Sequence, residues 1–268
     1  LRSSVKVSAL RAGGEILENV LLDVSANRQA VRIHELSASL PGRSRSKFGG
    51  VFFPGERFAE LAGDLALESL DARQLSWWLW PDSKAAINKS WTGSRGRMKL
   101  QTAVALTASK LDFQNMEYEL DGETGKANLA ILVNGERPII DFHVAAETID
   151  IDNFVAGGLV ALSPTNGEAS LSSIMENFVN EQVKRDLRFA LEATTLRLNG
   201  VESKDVAVEL ETTVKGFDLK KLEIGFADGA RLSARGLFLS TSNGADGTAE
   251  IKFTAEDPRP LLRLSGLL

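Results

Sequence analysis

"LDFQNMEYELDGETGKANLAILVNGERPIIDFHVAAE" (residues 111–147) changes polarity at almost every residue. Met116, Tyr118 and Leu120 are separated by glutamates; Leu129, Ile131 and Val133 follow at the same spacing, then Ile140, Phe142 and Val144. A period of two places such residues on one side of an extended chain, with polar partners on the other. Asp121-Gly122 and Asn134-Gly135 interrupt the alternation with residues that accept positive φ and close tight turns. The stretch therefore predicts antiparallel strands joined by hairpins, each with an apolar and a wet face.

The pattern spreads outward in both directions. Val104 and Leu106 alternate in "TAVALTAS" upstream; Val206, Val208 and Leu210 do so in "DVAVELETT", and Ile251 and Phe253 in "AEIKFTAE". Pro41-Gly42, Asn199-Gly200, Asp228-Gly229 and Asn243-Gly244 supply further turn pairs. "VRIHELSASLPG" (31–42), "LDFQNMEYELDG" (111–122) and "LKKLEIGFADG" (219–229) share a shape, with a one-residue slip in the last. Each runs into a Gly turn, then a short strand, a longer one and an apolar terminus: "LDARQLSWWLWP", "IDIDNFVAGG" or "DPRPLLRLSG". The expected organisation is one continuous β region over 1–268, built from units near 1–82, 98–158 and 187–268. Its expected fold is mainly β, a curled antiparallel sheet with two or three accessory helices.

One of those helices is expected within "EASLSSIMENFVNEQVKRDL" (168–187), where Leu171, Ile174, Met175, Phe178, Val179 and Val183 form one apolar stripe. It reads as a helix packed along the sheet; a lid or membrane-surface helix is the alternative. "QLSWWLWPDS" (74–83) holds three of the chain's four tryptophans. Leu75, Trp77, Trp78 and Trp80 read as an apolar plug closing a β-unit, with Pro81 ending a short helix. Contact between these rings and an apolar ligand is the competing reading.

The formal net charge of −5 and pI of about 5.3 argue against a nucleic-acid partner. Cysteine is absent, which removes disulfides, thiolate nucleophiles and cysteine metal ligands. The longest uninterrupted apolar candidate, Gly157 to Leu162, is far too short to span a membrane, and no signal peptide is visible. The chain is expected to be a piece of a longer protein.

An alternating strand into a Gly turn, a short strand, a long strand and an Ile-Asp-rich end resembles the AsmA family of Gram-negative envelope proteins. Residues 111–155 carry that resemblance best, and it recurs loosely over most of the chain. It implies a periplasmic segment, anchored to the inner membrane outside this sequence. It also implies a long curled β-groove, related to TamB and to bridge-like lipid-transfer proteins, that moves phospholipid and supports outer-membrane integrity. The short length and the 168–187 insertion depart from the family pattern.

The residues by themselves point the same way. One-faced strands must bury that face on something. At about 0.8 kcal/mol per buried methylene, a sixteen-carbon chain costs roughly 12 kcal/mol to expose, which a continuous apolar groove offsets. The groove candidates are Val104, Leu106, Met116, Tyr118, Leu120, Leu129, Ile131, Val133, Ile140, Phe142 and Val144. The expected partner is a phospholipid or other acyl lipid, with a scaffold role in outer-membrane protein assembly as the alternative.

Catalysis has little to build on. His34 and His143 sit at polar-phase strand positions, and Asp150 and Asp152 share a strand face without the Gly and distal Glu of a calcium loop. No nucleophile elbow, phosphate loop or zinc-helix motif occurs. "TGSRGR" (92–97) reads as a turn, and "PGRSRSK" (41–47) as a solvated strand edge that discourages aggregation. The expectation is a non-enzymatic protein without cofactor or metal.

Overall fold

The computed structural model describes residues 1–56, 58–79, 96–133, 135, 137–150, 186–198, 201–226, 229–241, 244–257 and 259. Fourteen strands and one helix lie among them, so the fold is mainly β, as the alternation predicts. The chain divides into two compact units, 1–86 with 94–134, and 87–93 with 135–268.

The first unit holds β1 (Arg2–Ala12), β2 (Glu15–Ala26), β3 (Val31–Leu40), β4 (Ser44–Phe53) and β5 (Glu60–Ser69). After α1 (Ala72–Leu79) come β6 (Met98–Leu106), β7 (Lys110–Leu120) and β8 (Glu123–Leu132). Each strand pairs antiparallel with the next in sequence order. The β7–β8 hairpin shows why: Asp121 at φ 51° and Gly122 at φ 95° form a two-residue turn that Asp and Gly tolerate.

The second unit holds β9 (Ile139–Asp150), β10 (Asp186–Leu198), β11 (Val201–Thr213), β12 (Gly216–Phe226), β13 (Arg231–Thr241) and β14 (Gly244–Thr254). β9 and β10 are parallel, and the remaining pairs are antiparallel. The 168–187 helix falls outside the described residues except at its end, where the structure corrects it. Asp186 and Leu187 open β10, and Leu187 pairs with Ile140 and Thr212. From Leu187 the sequence alternates through Phe189 and Leu191, so strand periodicity prevails there.

The three related segments share a structural mark as well as a turn. β3 sets His34 and Glu35 against Gly49; β7 sets Gln114 and Asn115 against Asn128; β12 sets Lys220 and Lys221 against Arg235. Each is a β-bulge, two residues facing one. The extra residue keeps apolar side chains three apart on one face: Ile33 and Leu36, Phe113 and Met116, Leu219 and Leu222. Asn115 carries its bulge at φ 50°, a conformation asparagine adopts more readily than most.

The helix α1 is fixed by its ends and by one side chain. Asp71 caps it, its Oδ1 accepting the Gln74 N–H at 3.1 Å. The Asp71 and Ala72 N–H groups donate to the carbonyls of Gly42 (3.0 Å) and Gly96 (2.8 Å), tying the helix start to the β3–β4 turn and to the lead-in of β6. Leu75 is 1% exposed and anchors the helix. Trp78 donates Nε1–H to the Ala12 carbonyl at 3.0 Å, and the Arg73 guanidinium stands 5.3 Å from the Trp77 ring centre. The tryptophans thus act as partly exposed straps around a buried leucine; Trp80 and Pro81 lie outside the described residues. Leu75→Ala is expected to cost about 2–5 kcal/mol, the usual range for a fully buried leucine. A shift of the urea midpoint checks this, and an unchanged midpoint would mean that Leu75 is not the anchor.

The second unit has its core at the end where β10 turns into β11 and β12 into β13. Ile149, Leu196, Val206, Ile224, Phe226 and Leu232 are all buried there. Phe226 and Phe253 meet edge to face at 6.5 Å between ring centres. No helix among the described residues is long and apolar enough to cross a membrane.

Candidate functional site

Strand register assembles the alternating residues of the first unit into rows that cross the sheet. One row runs Val5, Leu22, Leu36, Phe48, Leu65, Thr102 from β1 to β6. A second runs Val24, Ile33, Gly50, Gly63, Val104, Phe113 and Leu129 from β2 to β8. A third joins Phe52, Leu61, Leu106, Leu111 and Ile131, and a fourth joins Leu67, Leu100 and Tyr118. Together they make one apolar face.

Two devices keep that face continuous. Where Gly50 opposes Gly63, the Phe48 ring covers the gap: a Cβ built on either glycine would come within 2.9 Å of Phe48 Cζ. Tyr118 likewise lies over Gly125, where an added Cβ would meet its Cζ at 2.5 Å. Each ring replaces the side chain its cross-strand glycine lacks.

The other face is charged. Arg2 pairs with Asp23 at 2.6 Å, Lys47 with Glu35 at 3.4 Å, Lys99 with Glu119 at 2.9 Å and Lys110 with Asp112 at 2.7 Å. Burial pushes the Asp112 carboxyl up. Hydrogen bonds from Lys110 and Gln114, with the lysine charge, overcome that and hold it below the usual carboxylate range. A lowered folded pKa contributes stability above the unfolded value, near 3.9, and loses it as pH falls through the folded value. Asp112→Asn should therefore destabilise the chain at pH 7 and converge with the unmodified chain in acid. Parallel urea titrations at the two pH values test the sign, and an equal deficit at both would refute it.

The apolar face differs from a closed core in its cover. Among the described residues of the first unit, α1 is the one element outside the sheet. On the side of the sheet end that α1 ties down, Leu67 is 9% exposed and Phe48 8%. Farther from α1, Leu106 is 40% exposed, and toward β1 in the row of Phe48, Leu36 is 39% and Val5 50% exposed. The face is sheltered at Leu67 and Phe48 and open at Leu106 and toward β1.

Seven groove candidates, Val104, Leu106, Met116, Tyr118, Leu120, Leu129 and Ile131, come together on this face. Val133 does not. It lies just past the end of β8 at 54% exposure, because the strand has already stopped at Leu132. Ile140, Phe142 and Val144 belong to the second unit, in register with Leu187, Phe189 and Leu191. The Phe142 and Phe189 ring centres are 6.1 Å apart. The sequence reading left Ile33, Leu36, Phe48, Leu65 and Leu67 out of the groove; the three-residue spacing of Ile33 and Leu36 across the bulge is the signal that would have placed those two.

The groups weighed for catalysis are dispersed. His34 Nε2 lies 2.8 Å from Ser25 Oγ, and His143 Nε2 lies 2.9 Å from Asp141 Oδ1; both histidines are exposed. Among the described residues no three His, Asp or Glu side chains converge as a metal site. Arg43, Arg45 and Arg97 come together around a cavity of about 1210 Å³ whose lining also includes Glu15, Glu18 and Glu68, so charges of both signs share its rim. Comparison of the chain with protein-family models, curated proteins and solved structures returns no match.

Proposed function

We propose that this chain is a non-enzymatic lipid-binding segment that lays an acyl chain along the apolar face of its first unit. The observation that supports the reading is the set of apolar rows crossing β1 to β8 with α1 as their one off-sheet cover among the described residues. A soluble protein that leaves so wide an apolar surface half-covered has a use for it. Seven strand spacings of about 4.8 Å make the sheet roughly 34 Å wide, ample for an acyl chain. The resemblance to AsmA-like envelope proteins supplies the setting: a periplasmic segment of an inner-membrane-anchored parent, carrying phospholipid toward the outer membrane.

The test is mass spectrometry of lipid co-purifying with the chain, followed by transfer of a fluorescent phospholipid between two vesicle populations. Bound diacyl lipid and protein-dependent transfer are expected. A lipid-free chain that accelerates no transfer sinks the reading. A protein-interaction scaffold that uses the same half-covered sheet face for another protein is the competing function.

A further inference from the structure

We infer that the β4–β5 loop is a bilayer-docking tip, with Phe53 and Phe58 entering the interfacial layer of a zwitterionic phospholipid membrane. Lipid exchange through this tip rests on the lipid-binding function proposed above; the docking itself stands on separate residues.

The loop breaks the chemistry of its own sheet. β4 ends in Val51, Phe52 and Phe53 without a polar residue between them. Phe52, in register with Leu61, belongs to the apolar face. Phe53 is one residue on and opposite Glu60, so it falls on the charged face. Pro54 and Gly55 then turn the chain toward Phe58. Pro54 fixes its own φ, and Gly55 lies so close to the Phe58 carbonyl that a Cβ has no room, which keeps the turn compact. Phe53 at 45% and Phe58 at 62% are the most exposed phenylalanines among the described residues.

Neighbouring turns extend the tip. Leu61 pairs with Leu106, Leu106 with Leu111, and the Val133 N–H donates to the Ser109 carbonyl at 2.9 Å. The β4–β5 loop, the β6–β7 turn and the end of β8 therefore stand side by side. Leu106 and Val133 are exposed there, and Thr107, Ala108 and Ser109 between β6 and β7 carry no charge. This is the side on which the apolar face opens at Leu106.

The distribution of these side chains selects a bilayer over a protein. A partner laid on the apolar face would meet Phe52, Leu61 and Leu106, and would have no use for Phe53 on the other side. A tip that is apolar on both sides suits a medium that surrounds it, and aromatic rings favour the membrane interface. Charge then selects the kind of membrane. Glu56 and Glu60 are balanced in the sequence by Arg57 and by Arg28 of the adjoining β2–β3 turn, and the whole chain carries a net −5. Anionic lipid therefore adds no attraction, and ring burial, which salt screens little, drives docking. Docked this way, the apolar face opens toward the bilayer at Leu106, and an acyl chain passes between the two without crossing water.

The absence of cysteine gives a clean test. Phe58→Cys carries an environment-sensitive fluorophore, and Thr124→Cys, exposed at the β7–β8 hairpin on the opposite end of the sheet, carries the same label as control. Phosphatidylcholine vesicles should blue-shift and brighten the label at 58 and leave that at 124 unchanged. Phe53→Ser combined with Phe58→Ser should weaken flotation of the chain with these vesicles about tenfold or more. The thermal melt and the lipid already bound should stay as they are, because both rings are exposed. Ile131→Asp should do the reverse, docking normally while losing its lipid. A label at 58 that does not respond, or a double serine variant that floats as well as the unmodified chain, overturns the tip. Binding that needs anionic lipid and disappears in high salt also overturns it. A chain that docks through these rings yet never holds lipid would leave the tip standing and remove the lipid-binding function instead.

Discussion

Val206→Asp is expected to unfold the second unit. Val206 is 3% exposed and packs with Ala193, Leu196, Ile224 and Leu232 in the buried cluster. A carboxylate placed there is surrounded by apolar side chains. An unpaired buried charge costs several kcal/mol, against a total stability of about 5–15 kcal/mol for an ordinary domain. Loss of the second unit's slowest-exchanging amides, with aggregation on warming, is the expected result. A cooperative melt within a few degrees of the unmodified chain would show that the cluster is looser than its burial indicates.

How much of this was legible beforehand depends on the residues concerned. Where apolar side chains alternate strictly, as from Met116 to Leu120 and from Ile140 to Val144, both the strand and the shared face were readable, because a period of two has one geometric meaning. Val133 kept the alternation but lies past the last ladder pair, Lys110 with Leu132, although its N–H still donates to the Ser109 carbonyl at 2.9 Å. The pattern records which side a residue would face and not where the strand ladder gives way to a turn. β3 to β5 were harder. Their apolar residues are interrupted by the bulge at His34 and Glu35 and by the Gly50–Gly63 pair, which owes its apolar cover to Phe48 on the same strand as Gly50. The parallel pairing of β9 with β10 had no local signal, because register between strands thirty-five residues apart depends on the tertiary fold. For the helix at 168–187, the described residues settle only that Asp186 and Leu187 belong to β10.

The apolar face of the first unit separates a conduit from a core, and Ile131→Asp decides between them. Ile131 is half-buried in a row with Leu111 and Leu106, at the end of the face where Leu106 is 40% exposed. A carboxylate there can turn to water, so the fold should lose only about 1 kcal/mol, far less than at Val206. A bound acyl chain alters that balance. Methylenes lying over the new carboxylate would strip its water, at a cost of several kcal/mol even after relaxation. Each 1.4 kcal/mol of that cost is a factor of ten in binding, so lipid occupancy should fall by about two orders of magnitude. Phe142→Glu applies the same test in the second unit, where its ring meets Phe189. Native mass spectrometry reads lipid per chain while a thermal melt reads the fold. Ile131→Asp that stays folded and keeps its lipid removes the first unit's face as the binding surface. If it unfolds as Val206→Asp does, the face is a covered core and the lipid-binding function falls with it.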